Sequence, residues 1–209
     1  MEYSELFAFI DKCCVEQNID ESHGRTHAEA CMGWVENLLY TESDVSDDER
    51  KLALYSAALH DMCDKKYTDV SNATIQIHSW LLGQGWTTEF ADVLIRIIRS
   101  ISYSKLKLLV QDGKPVFPSF GKWDRVYHIV RHADLLDGYL VGRCFLYTKH
   151  VYPNIKDDAC WEIVEDLFKV RMFRYVVDGW IFLPEALKYA HQLEIRARWN
   201  LLDREFVYP

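Results

Sequence analysis

The sequence predicts an all-α fold in a single helical domain, and two observations carry the prediction. Apolar residues recur at spacings of three and four along most of the chain, while the period-two alternation that strands need is nearly absent. The 209 residues are 49% hydrophobic and 14% aromatic, enough for one sizeable core and too apolar for a disordered chain. One domain over residues 1–209 is the resulting expectation.

Leu6, Phe7, Phe9, Ile10, Cys13 and Cys14 predict an amphipathic helix over 2–17. The polar connection NIDESHGRTH (18–27) follows. A second helix then runs through Ala30, Cys31, Trp34, Val35 and Leu38, with His27 in its first turns. Glu42 to Glu49 reads as a loop and a helix start, with Ser46 or Asp47 as N-cap. The central helix that follows ends in ALYSAALHDMCDKKY (53–67), where an imidazole and two carboxylates, His60, Asp61 and Asp64, close an apolar run.

Further helices are predicted over 71–82, stopped by Gly83 and Gly85, and from the Thr87 or Thr88 cap through Ile98. The stretch 107–122 contains Gly113, Pro115, Pro118 and Gly121. It predicts a small hairpin or a loop that serves as a lid. One helix over 123–147 carries His128, His132, Asp134 and Asp137. Another spans 157–177, and Pro184 opens a last helix reaching about residue 202.

The formal net charge of −8 disfavours binding to nucleic acid or an anionic membrane surface, which depends on clustered Lys and Arg. A small anionic substrate stays compatible if local cations offset the acidic surface. The six cysteines are scattered without a CxxC pair, as reduced thiols would be, and no run of 18 uncharged apolar residues occurs. A cytoplasmic location is expected.

Neighbouring residues on a helix diverge by about 100°, so His60 and Asp61 share an ion only if it lies beside the last turn. Other ligands must come from elsewhere in the chain. The order His27, then AALHDMCDKKY with His60-Asp61, then HADLLDG with Asp134, resembles the HD-domain metal-dependent phosphohydrolase superfamily, in particular its small bacterial-type hydrolases. DESHGRTH and IIRSISYSK are similar to segments of that group, and the resemblance spans about 20–153. The helices of 154–209 lie outside it.

The resemblance implies that His27, His60, Asp61 and Asp134 hold one divalent transition metal. Two imidazoles and two carboxylates suit Mn, Fe, Co, Ni or Zn better than Mg or Ca. It further implies Asp64 as general base on an activated water, and Lys66 as a phosphate contact. His23 and Arg25 come from the connection that should border the pocket. Arg99, Lys105 and Lys107 are further cations near the lid segment.

The implied substrate is a small phosphate-containing anion, a nucleotide above all, cleaved at an ester or an anhydride. Against these readings, Asp64 equally suits a surface pairing with Lys65 or Lys66, Asp137 suits a role in orienting a ligand, and His78, His128, His132 and His150 suit structural roles. The competing class is a non-catalytic metal or nucleotide sensor with the same fold. An alarmone hydrolase ranks lower because the acidic pair after the doublet reads Cys63-Asp64. A homodimer stays open.

Overall fold

The structure, a computed structural model, describes residues 3–205; Glu2, at the start of the expected first helix, and the ends of the 1–209 domain lie outside the described residues. The fold is all-α. In chain order the elements are α1 (Ser4–Gln17), α2 (Arg25–Leu39), α3 (Asp47–Leu59), α4 (Val70–Gly83), α5 (Thr88–Ile98), the single turn α6 (Tyr103–Leu106), β1 (Val110–Gln111), β2 (Lys114–Pro115), α7 (Asp124–Asp137), α8 (Val141–Val151), α9 (Asp157–Val170) and α10 (Pro184–Asp203). No helix among the described residues is long and apolar enough to cross a membrane.

The central helix begins where the sequence marks it. Ser46 accepts from the Glu49 N–H while the Glu49 carboxylate accepts from the Ser46 N–H, a capping box that satisfies two otherwise free donors. Ala53, Ala57 and Ala58 on α3 are buried, and their small side chains let α2 and α7 pack closely against it. α2, α3 and α7 form the central trio; α5 packs on α3, α4 on α5, α10 on α7, and α9 on α8. Leu38, Leu52, Leu59, Ile129 and Leu136 are at most 2% exposed in this core, and burial of each such side chain contributes about 1.5–3 kcal/mol.

Three stretches differ from the periodicity. The helix expected over 123–147 is two helices, because Gly138-Tyr139-Leu140 breaks it and Leu140 turns extended (φ −74°, ψ 104°). A Cβ at Gly138 would stand 3.1 Å from the Leu135 carbonyl oxygen and 3.4 Å from the Tyr175 hydroxyl, so the tight break favours glycine. The helix expected over 157–177 stops at Val170 and passes into the short turn Met172–Arg174. The central helix ends at Leu59, and His60–Cys63 form a 3₁₀ turn.

The 107–122 stretch does contain a hairpin. Val110 pairs with Pro115 and Gln111 with Lys114, around Asp112 and Gly113 at φ 51° and 75°, the backbone a two-residue hairpin turn needs.

Candidate metal centre

His60 and Asp61 owe their direction to the 3₁₀ turn. Met62 and Cys63 go into the core at 0% and 1% exposure, and the preceding pair faces a cleft. His60 Nε2 and Asp61 Oδ2 lie 3.4 Å apart. From the first turn of α2, His27 Nε2 comes within 3.3 Å of both His60 Nε2 and Asp61 Oδ2. From α7, Asp134 Oδ1 stands 3.7 Å from His27 Nε2 and 3.5 Å from His60 Nε2.

The residues present fit a metal ion. Two donors bound to one ion at about 2.1 Å lie roughly 3.0 Å apart at a right angle and roughly 3.4 Å apart at a tetrahedral angle, close to the five separations just given. Both rings are also oriented from behind. His60 Nδ1–H donates to the Ala57 carbonyl at 2.8 Å, and His27 Nδ1–H donates to Asp137 Oδ2 at 2.6 Å. Each ring therefore presents an Nε2 lone pair, the arrangement in which proteins hold metal-binding imidazoles. A 3.3 Å approach of the two Nε2 atoms is satisfied by a proton on His60 or by a bound ion that both lone pairs would share.

The electrostatics point the same way. Burial opposes charge on His60, but Asp61 and Asp134 outweigh it and raise its pKa to about 9. Both carboxyls stay ionised: burial would raise them, but His60, joined by His23 and His27 at Asp61 and by Arg143 at Asp134, pulls them below the usual range. Asp61 Oδ2 is buried and makes no hydrogen bond among the described residues, its nearest cations being His60 and, at 3.6 Å, Arg143, so it keeps capacity for a bound ion.

Cys31, one turn after His27, belongs to the same cluster. Its sulfur is 3.6 Å from both ring nitrogens of His27, off the line of the Nε2 lone pair, and burial pushes its thiol pKa well up. The four side chains whose ligand atoms all lie within 4.8 Å of one another are His27, Cys31, His60 and Asp134, while Asp61 Oδ2 touches both histidine Nε2 atoms at 3.3 and 3.4 Å.

Arg143 is one of two site residues, with Arg171, that sequence reasoning missed. On an unbroken helix it would lie nine residues beyond Asp134, about 13 Å along the axis. The break at Gly138 turns α8 back so that its guanidinium approaches Asp61 (3.6 Å), Asp137 (3.7 Å) and Asp134 (3.9 Å). It donates to the Ser22 carbonyl at 2.6 Å and to His27 Nε2 at 3.0 Å. Three carboxylates thus face one guanidinium, an excess of negative charge that a proton on His60 partly offsets and that a bound divalent ion would cancel. Gly138 and Gly142 on either side of Tyr139 were the available signal.

The cleft above these residues has a volume of about 190 Å³ and is lined by His60, Asp61, Asp64 and Asp134 together with His23, Lys66, Lys105 and Arg171. Asp64 Oδ1 accepts from the Lys66 N–H at 2.9 Å, and Lys66 Nζ is 3.8 Å from its other oxygen. Lys66 Nζ also donates to His23 Nε2 at 3.0 Å. Burial is the main cause that lowers the His23 pKa, to about 4, so the ring is neutral and accepts from the lysine. Behind it, Tyr67 and Ser22 donate to Asp20, whose carboxyl is held low against burial by His23 first and by these two bonds.

Other expected residues stand elsewhere. Arg25 is exposed and pairs with Glu29 at 2.8 Å and Asp11 at 3.2 Å, and Arg99 is exposed and does not line the cleft. The 107–122 hairpin contributes no lining residue, so it is not a lid in this conformation; its Phe117 packs on Arg131 and Trp180 instead. His78 pairs with Asp92, and His128 and His132 pack on Phe182, so none of the three joins the cluster. Comparisons with family models, with curated proteins and with solved structures find no match to this chain.

Proposed function

We propose that the protein is a metal-dependent phosphohydrolase of the HD-domain kind, acting on a nucleotide or a related phosphate ester or anhydride. One observation carries the reading. Two Nε2 atoms with secured Nδ1 partners, each within 3.7 Å of a carboxylate oxygen of Asp61 and of Asp134, border a cleft whose walls bear Lys66, Lys105 and Arg171. A divalent transition metal bound there, of the Mn, Fe, Co, Ni or Zn type, would neutralise phosphoryl charge and acidify water.

His27, His60, Asp61 and Asp134 would hold that ion, with Asp137 and the Ala57 carbonyl keeping the rings aimed. Asp64 faces the cleft with one oxygen bonded to backbone and the other only 3.8 Å from a lysine, so it retains acceptor capacity for a water proton. Lys66 supplies positive charge at the rim for the substrate's phosphate. The small cleft supports a substrate whose phosphate and adjoining group enter while the remainder extends outward past Tyr147. The six free thiols support a cytoplasmic place of action.

The test is hydrolysis of a nucleotide panel with each metal in turn, phosphate and pyrophosphate being detected separately. Pyrophosphate from triphosphates marks a pyrophosphohydrolase, and phosphate from monophosphates marks a phosphomonoesterase. No release from the metal-loaded protein across the panel overturns the enzyme reading.

A second reading, a non-catalytic sensor, is favoured by one observation: Arg143 donates to the very lone pair of His27 that a metal needs. Arg143→Met, assayed for turnover as well as for metal, separates the two, since a sensor binds metal without turnover. On the enzyme reading the variant binds metal at least as tightly as wild type, because a competing cation has left.

A further inference from the structure

Arg171 differs from most arginines of this chain. Arg25, Arg50, Arg125, Arg143, Arg174, Arg198 and Arg204 all pair with carboxylates. Arg171 lines the cleft, yet the one hydrogen bond of its guanidinium among the described residues runs from Nε to the Tyr175 hydroxyl at 2.7 Å, and it makes no ion pair there. Its guanidinium carbon lies 4.5 Å from the centre of the Tyr103 ring.

This geometry holds the group still and leaves its business end free. With Nε engaged and one face on Tyr103, the two terminal nitrogens form a planar fork, the shape that takes two oxygens of a phosphate at once. Among the described residues no carboxylate lies within ion-pair distance of it, Asp134 acting only from further off, so an anion in the cleft meets a guanidinium that is not already paired. Lys105, on the same cleft, spends one Nζ hydrogen bond on the Arg99 carbonyl at 2.8 Å and has no carboxylate partner among the described residues, so it adds positive charge rather than cancelling any. Neither residue belongs to the segments that bring the metal-binding candidates.

We propose that Arg171 is the specificity-determining anion anchor of this cleft, binding a substrate phosphate in bidentate fashion with Lys105 as auxiliary charge. Only the identification of that phosphate as part of a hydrolysed substrate rests on the phosphohydrolase reading; the anion site itself rests on the arginine's surroundings.

The experiment is calorimetric titration with inorganic phosphate and with pyrophosphate, on metal-loaded and metal-stripped protein, for wild type, R171Q, R171K and R174Q. R174Q removes an exposed arginine paired with Asp178 and controls for loss of surface charge. Roughly tenfold or greater loss of affinity is expected for R171Q, with R171K in between, R174Q equal to wild type, and metal content equal in all four. Wild-type affinity in R171Q, equal loss in R174Q, or no phosphate binding by wild type overturns the proposal.

If R171Q does not fold, Tyr175→Phe removes the hydroxyl that aligns Nε and is expected to weaken phosphate binding several-fold; unchanged binding overturns the proposal by that route. Phosphate binding that depends on Arg171 in a protein that hydrolyses nothing leaves this proposal standing and removes the phosphohydrolase reading. Hydrolysis that is indifferent to Arg171 does the reverse.

Discussion

Asp137 Oδ2 lies 2.6 Å from His27 Nδ1, joining side chains 110 residues apart that are each 1% exposed. The carboxylate places the ring proton on Nδ1 and so turns the Nε2 lone pair toward His60 and Asp61. Replacing it by an amide keeps the volume and loses the charge. Asp137→Asn is therefore expected to lower metal affinity about 10- to 100-fold, read by competition with a chelator. Wild-type affinity in the variant would show that the pair is only structural.

Binding of an ion to the folded chain alone raises its stability by mass action. At a hundredfold excess over Kd the gain is about 2.7 kcal/mol, which for a chain of this size corresponds to roughly 5–11 °C in melting temperature. Wild type should show that rise with Mn or Co. His60→Ala and Asp61→Ala should melt at the same temperature with and without the ion.

Asp64 separates binding from chemistry. Asp64→Asn preserves the acceptor for the Lys66 N–H and removes the basic oxygen, so the variant should bind metal as wild type does while turnover falls about 10²- to 10⁴-fold. Metal content and rate measured on one preparation check it. Full activity with metal bound excludes Asp64 as the base.

Much of the architecture is legible in local chemistry. The Ser46 and Glu49 capping box, the Thr87 cap and Pro184 in the first turn of α10 are short-range signals, and each stands where the sequence marks it. His60 and Asp61 stand out because they close an apolar run, whereas His27 and Asp134 are reached through the resemblance in motif order. Arg143 and Arg171 are reached by neither route. Their positions depend on where α8 and α9 turn, and those turns come from the Gly138 contact with Tyr175 and from the end of α9 at Val170, which are tertiary events that periodicity does not encode. Arg25 and Arg99 illustrate the converse, being close in sequence to the motifs while their side chains are exposed to solvent.

A pH dependence follows from the far end of α7. Burial, then Arg131, lowers the His128 pKa from 6.5 to about 4, against a weaker opposing pull from Asp124, and the same two causes hold His132 well below its ordinary value. The unfolded chain takes up these protons near pH 6.5 and the folded chain resists them. The stabilisation is therefore fully present above pH 6.5 and is lost as pH falls toward 4. Denaturant midpoints at pH 7 and pH 5 should show the fall, and His128→Gln should reduce it. An equal fall in the variant excludes His128 as a source.

The central claim is that His27, His60, Asp61 and Asp134 surround one ion. The most direct measurement strips the protein with chelator, reloads it with Mn or Co, removes free ion by desalting, and counts metal per chain by plasma mass spectrometry in wild type and Asp134→Ala. The account predicts one ion per wild-type chain and almost none in the variant. A wild-type chain that comes through empty, or a variant that keeps its ion, contradicts it.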